Sequence, residues 1–140
     1  MDRKRRTEYL SKVPLFRGLS QRQLAAIDRV ADEMDAPAGE ELARQDELGR
    51  EMFVIVAGSA KVVRNGRKVA ELGPGDVFGE MALADSRPRS ASVVTTSTST
   101  LLVVPAKAFK PLITSVPRLA EALLASMSGR LREADKRLYG

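Results

Sequence analysis

The chain contains no cysteine and no histidine. Without thiols, disulfide scaffolds, cysteine–zinc sites, iron–sulfur clusters and thiol nucleophiles are excluded. Without imidazole, triads, zinc-water hydrolysis and near-neutral pH switches lose their customary residue. Aromatic residues are only 4% of the sequence, which leaves few platforms for stacking single-stranded bases. No apolar run approaches the roughly 18–20 residues needed to cross a bilayer. No secretory signal is visible, because the basic start runs into Thr7-Glu8-Tyr9 instead of an apolar stretch. The expectation is a cytoplasmic domain that is not an enzyme, has no catalytic residues, makes no membrane contact and needs no resident metal or cofactor.

The length, 140 residues, suits one domain able to bury a sizeable core. The formal charge is +5, and much of the excess lies in Arg3-Lys4-Arg5-Arg6 and in Arg130, Arg132, Lys136 and Arg137. A solvated tail and a solvated helix face account for this run, with nucleic-acid contact as the sharper alternative.

Three tracts follow a basic tail at residues 1–8. Over residues 9–34 the apolar residues Leu24, Ile27 and Val30 recur at helical spacing. Ser20 before Gln23 forms a capping-box pattern. Over residues 36–105 the period changes to short strand-like runs, such as Met52–Val56 and Leu101–Val104, separated by turn residues. Asn65-Gly66 between two such runs predicts a hairpin with a type I′ turn. The fold class expected is mostly β with flanking helices: a double-stranded β-helix, or jelly-roll barrel, with N-terminal helices and a long C-terminal helix. The polar run Thr95–Thr100 reads as a turn and a strand face rather than as a phosphorylation target.

Residues 106–139 read as helical, with Pro111 and Pro117 marking two starts. The last helix carries a seam of Ala120, Leu124, Met127, Leu131, Ala134 and Leu138 at alternating steps of four and three. That seam either packs on the strands or stays free while Leu119 and Leu123 pack there. In the second case it predicts a homodimer through Leu124, Met127, Leu131 and Leu138.

The informative stretch runs from Gly73 to Val93. Gly73-Pro74-Gly75-Asp76 is followed by Phe78-Gly79-Glu80 and a short apolar segment. A helical turn at residues 81–84, within a short helix expected over residues 78–84, would expose main-chain N–H groups to an anion. Gly79 lets the backbone come close to a ligand, and Arg89, set by Pro88, can add a bidentate guanidinium. The Glu80 carboxylate only accepts, which suits a sugar hydroxyl. Asp76, Glu80 and Asp85 offer a metal reading, but Arg89 beside them argues against it.

Here the sequence resembles the cyclic nucleotide-binding domains, a family that includes bacterial catabolite activators, kinase regulatory subunits and gated channels. The likeness begins at Val13-Pro14-Leu15-Phe16 and continues through Gln45, Phe53-Val54-Ile55 and Gly58. It is sharpest in FGEMALADSRPRSAS, Phe78 to Ser92, which resembles the family's phosphate-binding cassette. The resemblance implies that Gly79 and Glu80 approach the ribose, with Glu80 accepting from the 2′-OH. It implies main-chain donors at Met81 and Ala82, a phosphate-neutralising Arg89, and a selectivity position at Ser90. Phe78, Ser92, Val62 and Val69 complete the implied ligand-binding set, the two valines at the base end.

Three departures stand out. Asp46 follows Gln45 where the family often has glycine. The family's base-contacting hydroxyls on the last helix fall on Ala134 and Asp135. No helix-turn-helix counterpart follows, so DNA is not the expected partner.

The function expected is a regulatory sensor for cAMP, or cGMP, that moves its C-terminal helix and acts on an output protein the sequence does not identify. The alternatives are a ligand-free interaction scaffold and a fragment of a catabolite-activator-like transcriptional regulator lacking its DNA-binding module.

Overall fold

The computed structural model describes residues 1–83 and 87–125. Three helices bracket the strands: α1 (Arg3–Ser11), α2 (Gln21–Val30) and α3 (Ala106–Ser115). A further helix, α4, spans residues 117–125 among those described. The strands are β1 (Asp32–Ala36), β2 (Glu41–Ala43), β3 (Glu51–Ala57), β4 (Ala60–Arg64), β5 (Arg67–Leu72), β6 (Val77–Phe78), β7 (Ser92–Thr95) and β8 (Ser99–Pro105). They form two four-stranded sheets, in the orders β1-β8-β3-β6 and β2-β7-β4-β5, with antiparallel pairing. This is the jelly-roll arrangement expected, built as two facing sheets with free edges and not as a closed barrel.

The runs Met52–Val56 and Leu101–Val104 are apolar throughout because both faces of β3 and β8 are buried. On one face, Met52, Val54, Leu102 and Val104 join Leu10, Phe16, Leu24, Ile27 and Phe109 in a core beneath the helices. On the other, Phe53, Ile55, Leu101 and Val103 meet Ala43, Ala60 and Val93 between the sheets. Phe16 and Phe109 pack with ring centroids 5.9 Å apart, joining the N-terminal segment to α3.

Ser20 caps α2 as the pattern predicts, with Gln23 N–H donating to Ser20 Oγ and Ser20 N–H donating to Gln23 Oε1. Asn65 (φ 52°) and Gly66 (φ 78°) form the turn between β4 and β5. Thr95 and Ser99 are buried, and the Thr95 hydroxyl donates to Pro37 O at 2.6 Å while accepting from Glu40 N at 2.9 Å.

Three expectations need correction. Residues 3–8 of the expected basic tail belong to helix α1, because Asp2 caps its start and Arg6 ties it to α2. The Arg6 guanidinium donates to Asp28 O and Ala31 O, at 3.2 and 2.6 Å, and lies 2.7 Å from the buried Asp28 carboxylate. Helical structure ends at Val30, so residues 32–34 are strand; their partner is β8, which pairs Asp32 with Val103 and Met34 with Leu101. Pro111 lies inside α3 and starts nothing, whereas Pro117 opens α4.

Leu119 and Leu123 are buried in the helix-covered core, while Leu124 is 64% exposed. Each fully buried leucine stabilises by roughly 1.5–3 kcal/mol, so these two dock α4 and turn Leu124 outward. The remaining seam residues Met127, Leu131 and Leu138, and the base-contact positions Ala134 and Asp135, lie outside the described residues.

Candidate functional site

The site is assembled where β6 ends. Phe78 pairs with Phe53 across β6 and β3, and their rings stack with centroids 4.7 Å apart. Gly79 follows with φ 77°, a left-handed conformation that reverses the chain into a short 3₁₀ turn, Glu80–Leu83. This turn replaces the longer helix expected over residues 78–84, of which residue 84 lies outside the described residues. Met81 lies within the turn. Ala82 N–H donates to Gly79 O at 3.0 Å, so that donor is taken up by the turn and is not presented to an anion.

Arg89 arrives from the opposite side, held by a ladder that the sequence pattern does not announce. Arg89 N–H donates to Glu47 O at 2.7 Å, Asp46 N–H to Arg89 O at 2.8 Å, and Gly49 N–H to Arg87 O at 3.1 Å. An isolated bridge pairs Leu48 with Pro88. The loop after β2 therefore serves as a partner strand for residues 87–89 and fixes where the arginine side chain starts.

The guanidinium ends in a gap between two glycines. Its Nη2 donates to Glu51 O at 2.8 Å. A Cβ on Gly49 would lie 3.5 Å from Arg89 Cζ, and one on Gly79 would fall on Arg89 Nη1 and 2.7 Å from Glu51 O. Burial pushes the Arg89 pKa below its ordinary value, with the Glu51 charge opposing. The group stays protonated, as arginine does in proteins. Among the described residues no carboxylate forms an ion pair with it. A half-buried cation with no direct ion pair, and only the Glu51 charge to offset its burial, is costly unless an anion completes it.

Directly after Gly79, the Glu80 Oε2 atom is buried without a hydrogen-bond partner. Buried acceptors are ordinarily satisfied, so this oxygen has capacity to accept a hydrogen bond that no described residue supplies. A cleft of about 670 Å³ beside Arg89 is lined by Ala43, Arg44, Leu48, Arg50 and Glu51 among others; Glu80 is not part of its wall. That volume falls in the range of roughly 300–1,000 Å³ typical of small-ligand sites.

The other implied residues divide. Val62 is half-buried against the inter-sheet core, alongside Phe78. Val69 is not brought to the site: the β4–β5 register skips it, with Val62 opposite Ala70 and Val63 opposite Lys68, and the bulged side chain is 55% exposed. Ser92 Oγ accepts from Gln45 N at 2.9 Å and so braces the loop after β2. Ser90 is exposed, and its carbonyl accepts from Arg64 Nε at 3.2 Å. Asp76 N–H donates to Gly73 O at 3.0 Å, which closes a β-turn, and Asp76 Oδ2 accepts from Gly73 N–H at 2.7 Å across it. Among the described residues no three acidic side chains converge as a metal site would require.

Glu47, Gly49, Glu51 and Arg64 were not singled out from the sequence. The first three act through main-chain groups or an absent side chain, and only the glycine within a polar run offered a signal. Asp46, at the family's glycine position, has φ 71°. We expect Asp46→Gly to stabilise the domain by about 0.5–1 kcal/mol, since the left-handed penalty exceeds glycine's entropic cost. Urea denaturation checks this, and an unchanged or lower midpoint would contradict it.

A two-sheet jelly roll with an arginine set into the loops at the end of β6 and β2 has the architecture of a ligand-binding module. The chain belongs to the cyclic nucleotide-binding domain family, whose sequence profile matches residues 33–115. It is 34% identical over 130 residues to the cyclic AMP receptor protein of Thermus thermophilus, covering 89% of this chain and 60% of that protein. It is 39% identical over 117 residues to a cyclic nucleotide-gated potassium channel of Mesorhizobium japonicum, covering 84% of this chain and 32% of the channel. The crystal structure of the N-terminal domain of a transcriptional regulator from Streptomyces coelicolor superposes with a TM-score of 0.80. That match has 28% identity and covers 94% of this chain and 96% of the other. The chain thus spans less than two thirds of the length of the curated relatives it matches. The family is one of ligand-binding regulatory domains, and no described helix is long and apolar enough to cross a membrane.

Proposed function

We propose that this domain binds a 3′,5′-cyclic nucleotide, cAMP ahead of cGMP, and acts as a sensor and not as an enzyme. One observation carries the reading: a half-buried, unpaired arginine and a buried, unpartnered carboxylate oxygen both adjoin Gly79. A cyclic phosphate supplies the anion that Arg89 lacks, and a ribose 2′-OH supplies the donor that Glu80 Oε2 lacks. The charge complement of the ligand matches the two vacancies in the protein's own bonding.

The route to an output is mechanical. The turn Glu80–Leu83 packs against both β3 and α3, and α3 starts where Ala106 N–H donates to Arg50 O at 2.8 Å. A phosphate that draws the turn toward Arg89 therefore shifts the seat of α3 and, through it, α4. Differential contact with the two positions of the turn is what couples binding to helix movement. The exposed Leu124 favours a second copy of the chain as the partner of α4.

Titration of the domain with cAMP, cGMP and 2′-deoxy-cAMP tests this. A ligand at 100 times its dissociation constant stabilises by about 2.7 kcal/mol, which a thermal shift resolves. Removing the 2′-OH is expected to weaken cAMP about tenfold, the scale of one hydrogen bond to a charged group. No thermal response to either nucleotide would leave the scaffold reading, and equal binding of the 2′-deoxy analogue would remove the role of Glu80.

A further inference from the structure

Arg64 is a second arginine beside the site, one that the sequence pattern does not single out. It is the last residue of β4. By strand alternation it shares a face with Ala60, which is buried, and Val62, which packs into the inter-sheet core. The side chain therefore stands at the open rim of the inner face. Its Nε donates to the carbonyl of Ser90, the residue after Arg89.

The strand end is held in place. Gln45 Nε2 donates to Asn65 Oδ1 at 2.7 Å, and Asn65 N–H donates to Gln45 Oε1 at 2.8 Å. Gln45 N–H in turn donates to Ser92 Oγ at 2.9 Å, which ties the hairpin to the strand that follows Arg89. Among the described residues no carboxylate pairs with Arg64, and its Nη donors have no protein partner. A planar fork of donors is thus fixed at the rim, on the Val62 side of the phosphate-binding arginine.

We propose that Arg64 reads the base: its Nη groups donate to the acceptor edge of a purine whose phosphate sits on Arg89. The inference rests on the nucleotide reading above and extends it to specificity. Guanine offers two neighbouring acceptors, O6 and N7, which match the fork of an arginine. Adenine replaces O6 with an amino donor, so it presents one acceptor and one repelling N–H. Arg64 accordingly favours cGMP and narrows the preference for cAMP that the rest of the site confers.

Calorimetric titration of the wild type, Arg64→Ala and Arg64→Lys with cAMP, cGMP and cIMP tests this. Cyclic inosine monophosphate keeps O6 and N7 and lacks the 2-amino group of guanine, so it isolates the edge in question. We expect Arg64→Ala to weaken cGMP and cIMP roughly tenfold while cAMP changes less than about threefold. Arg64→Lys, which keeps the charge and loses the fork, is expected to follow the alanine variant. An equal loss for all three ligands, or no loss for any, overturns the assignment while leaving the nucleotide reading intact. Failure of the wild-type domain to bind any of the three overturns both. Binding of all three by the wild type, with the loss confined to cGMP and cIMP, supports it.

Discussion

Arg89→Ala is expected to weaken cyclic-nucleotide binding by at least about tenfold, because a charge-assisted contact is worth roughly 1.5–3 kcal/mol and 1.4 kcal/mol is one decade. The same substitution should cost the ligand-free domain little. The arginine's main-chain bonds to Glu47 and Asp46 do not involve its side chain, so the ladder survives. What is lost is one bond to Glu51 O and the attraction of the Glu51 charge, set against release of a half-buried cation that forms no ion pair among the described residues. Stability and binding should therefore separate. Calorimetry against cAMP, with urea denaturation of the same preparation, reads both. Unchanged affinity would sink the assignment of the phosphate to this residue. A large stability loss would mean that the guanidinium serves mainly to hold β3. Arg89→Lys should resemble the alanine variant in binding, since an ammonium cannot span Glu51 O and a phosphate with a planar fork.

How far the sequence reached follows from which forces were local. The capping box at Ser20 and Gln23 and the turn at Asn65-Gly66 are decided within four residues of chain, and both stand as predicted. The apolar runs of β3 and β8 were legible because burial on two faces demands an unbroken hydrophobic sequence. Helix α1 was not legible. It is polar on nearly every side and is secured by Arg6 reaching the carbonyls at the end of α2, a contact between residues more than twenty positions apart. Strand β1 reads Asp-Glu-Met-Asp-Ala and has no hydrophobic run of its own; β8 confers its conformation. The core of the site was legible as a motif, Gly79-Glu80 with Arg89. Its support was not, because Glu47, Gly49 and Glu51 contribute carbonyls, an N–H and an empty Cβ position, none of which leaves a side-chain signature. Val69 failed for a related reason: a bulge shifts the register by one residue and reverses which side chains face inward.

Gly79→Ala should damage stability and binding together, and the pair of effects can be taken apart. With φ 77° the position disfavours any L side chain, at roughly 1–2 kcal/mol. The added Cβ would also lie 2.7 Å from Glu51 O, a main-chain atom of the central strand β3 that cannot retreat cheaply. Overpacking of this kind typically costs about 1–3 kcal/mol, so a total loss on the order of 2–5 kcal/mol is expected in urea denaturation. The Cβ also overlaps Arg89 Nη1, the flexible end of a side chain, which can swing away only by releasing Glu51 O and leaving the phosphate position. Affinity for cAMP should then fall about as far as in Arg89→Ala, at least about tenfold. The double variant distinguishes the two routes. Once Arg89 is gone the binding loss from Gly79→Ala should largely vanish, whereas its stability loss should persist, since φ and Glu51 O are unchanged. Fully additive binding losses would show that the glycine acts on the ligand directly and not by leaving room for the arginine. A variant as stable as the wild type would mean that β3 and the turn at Glu80–Leu83 yield more easily than their packing implies.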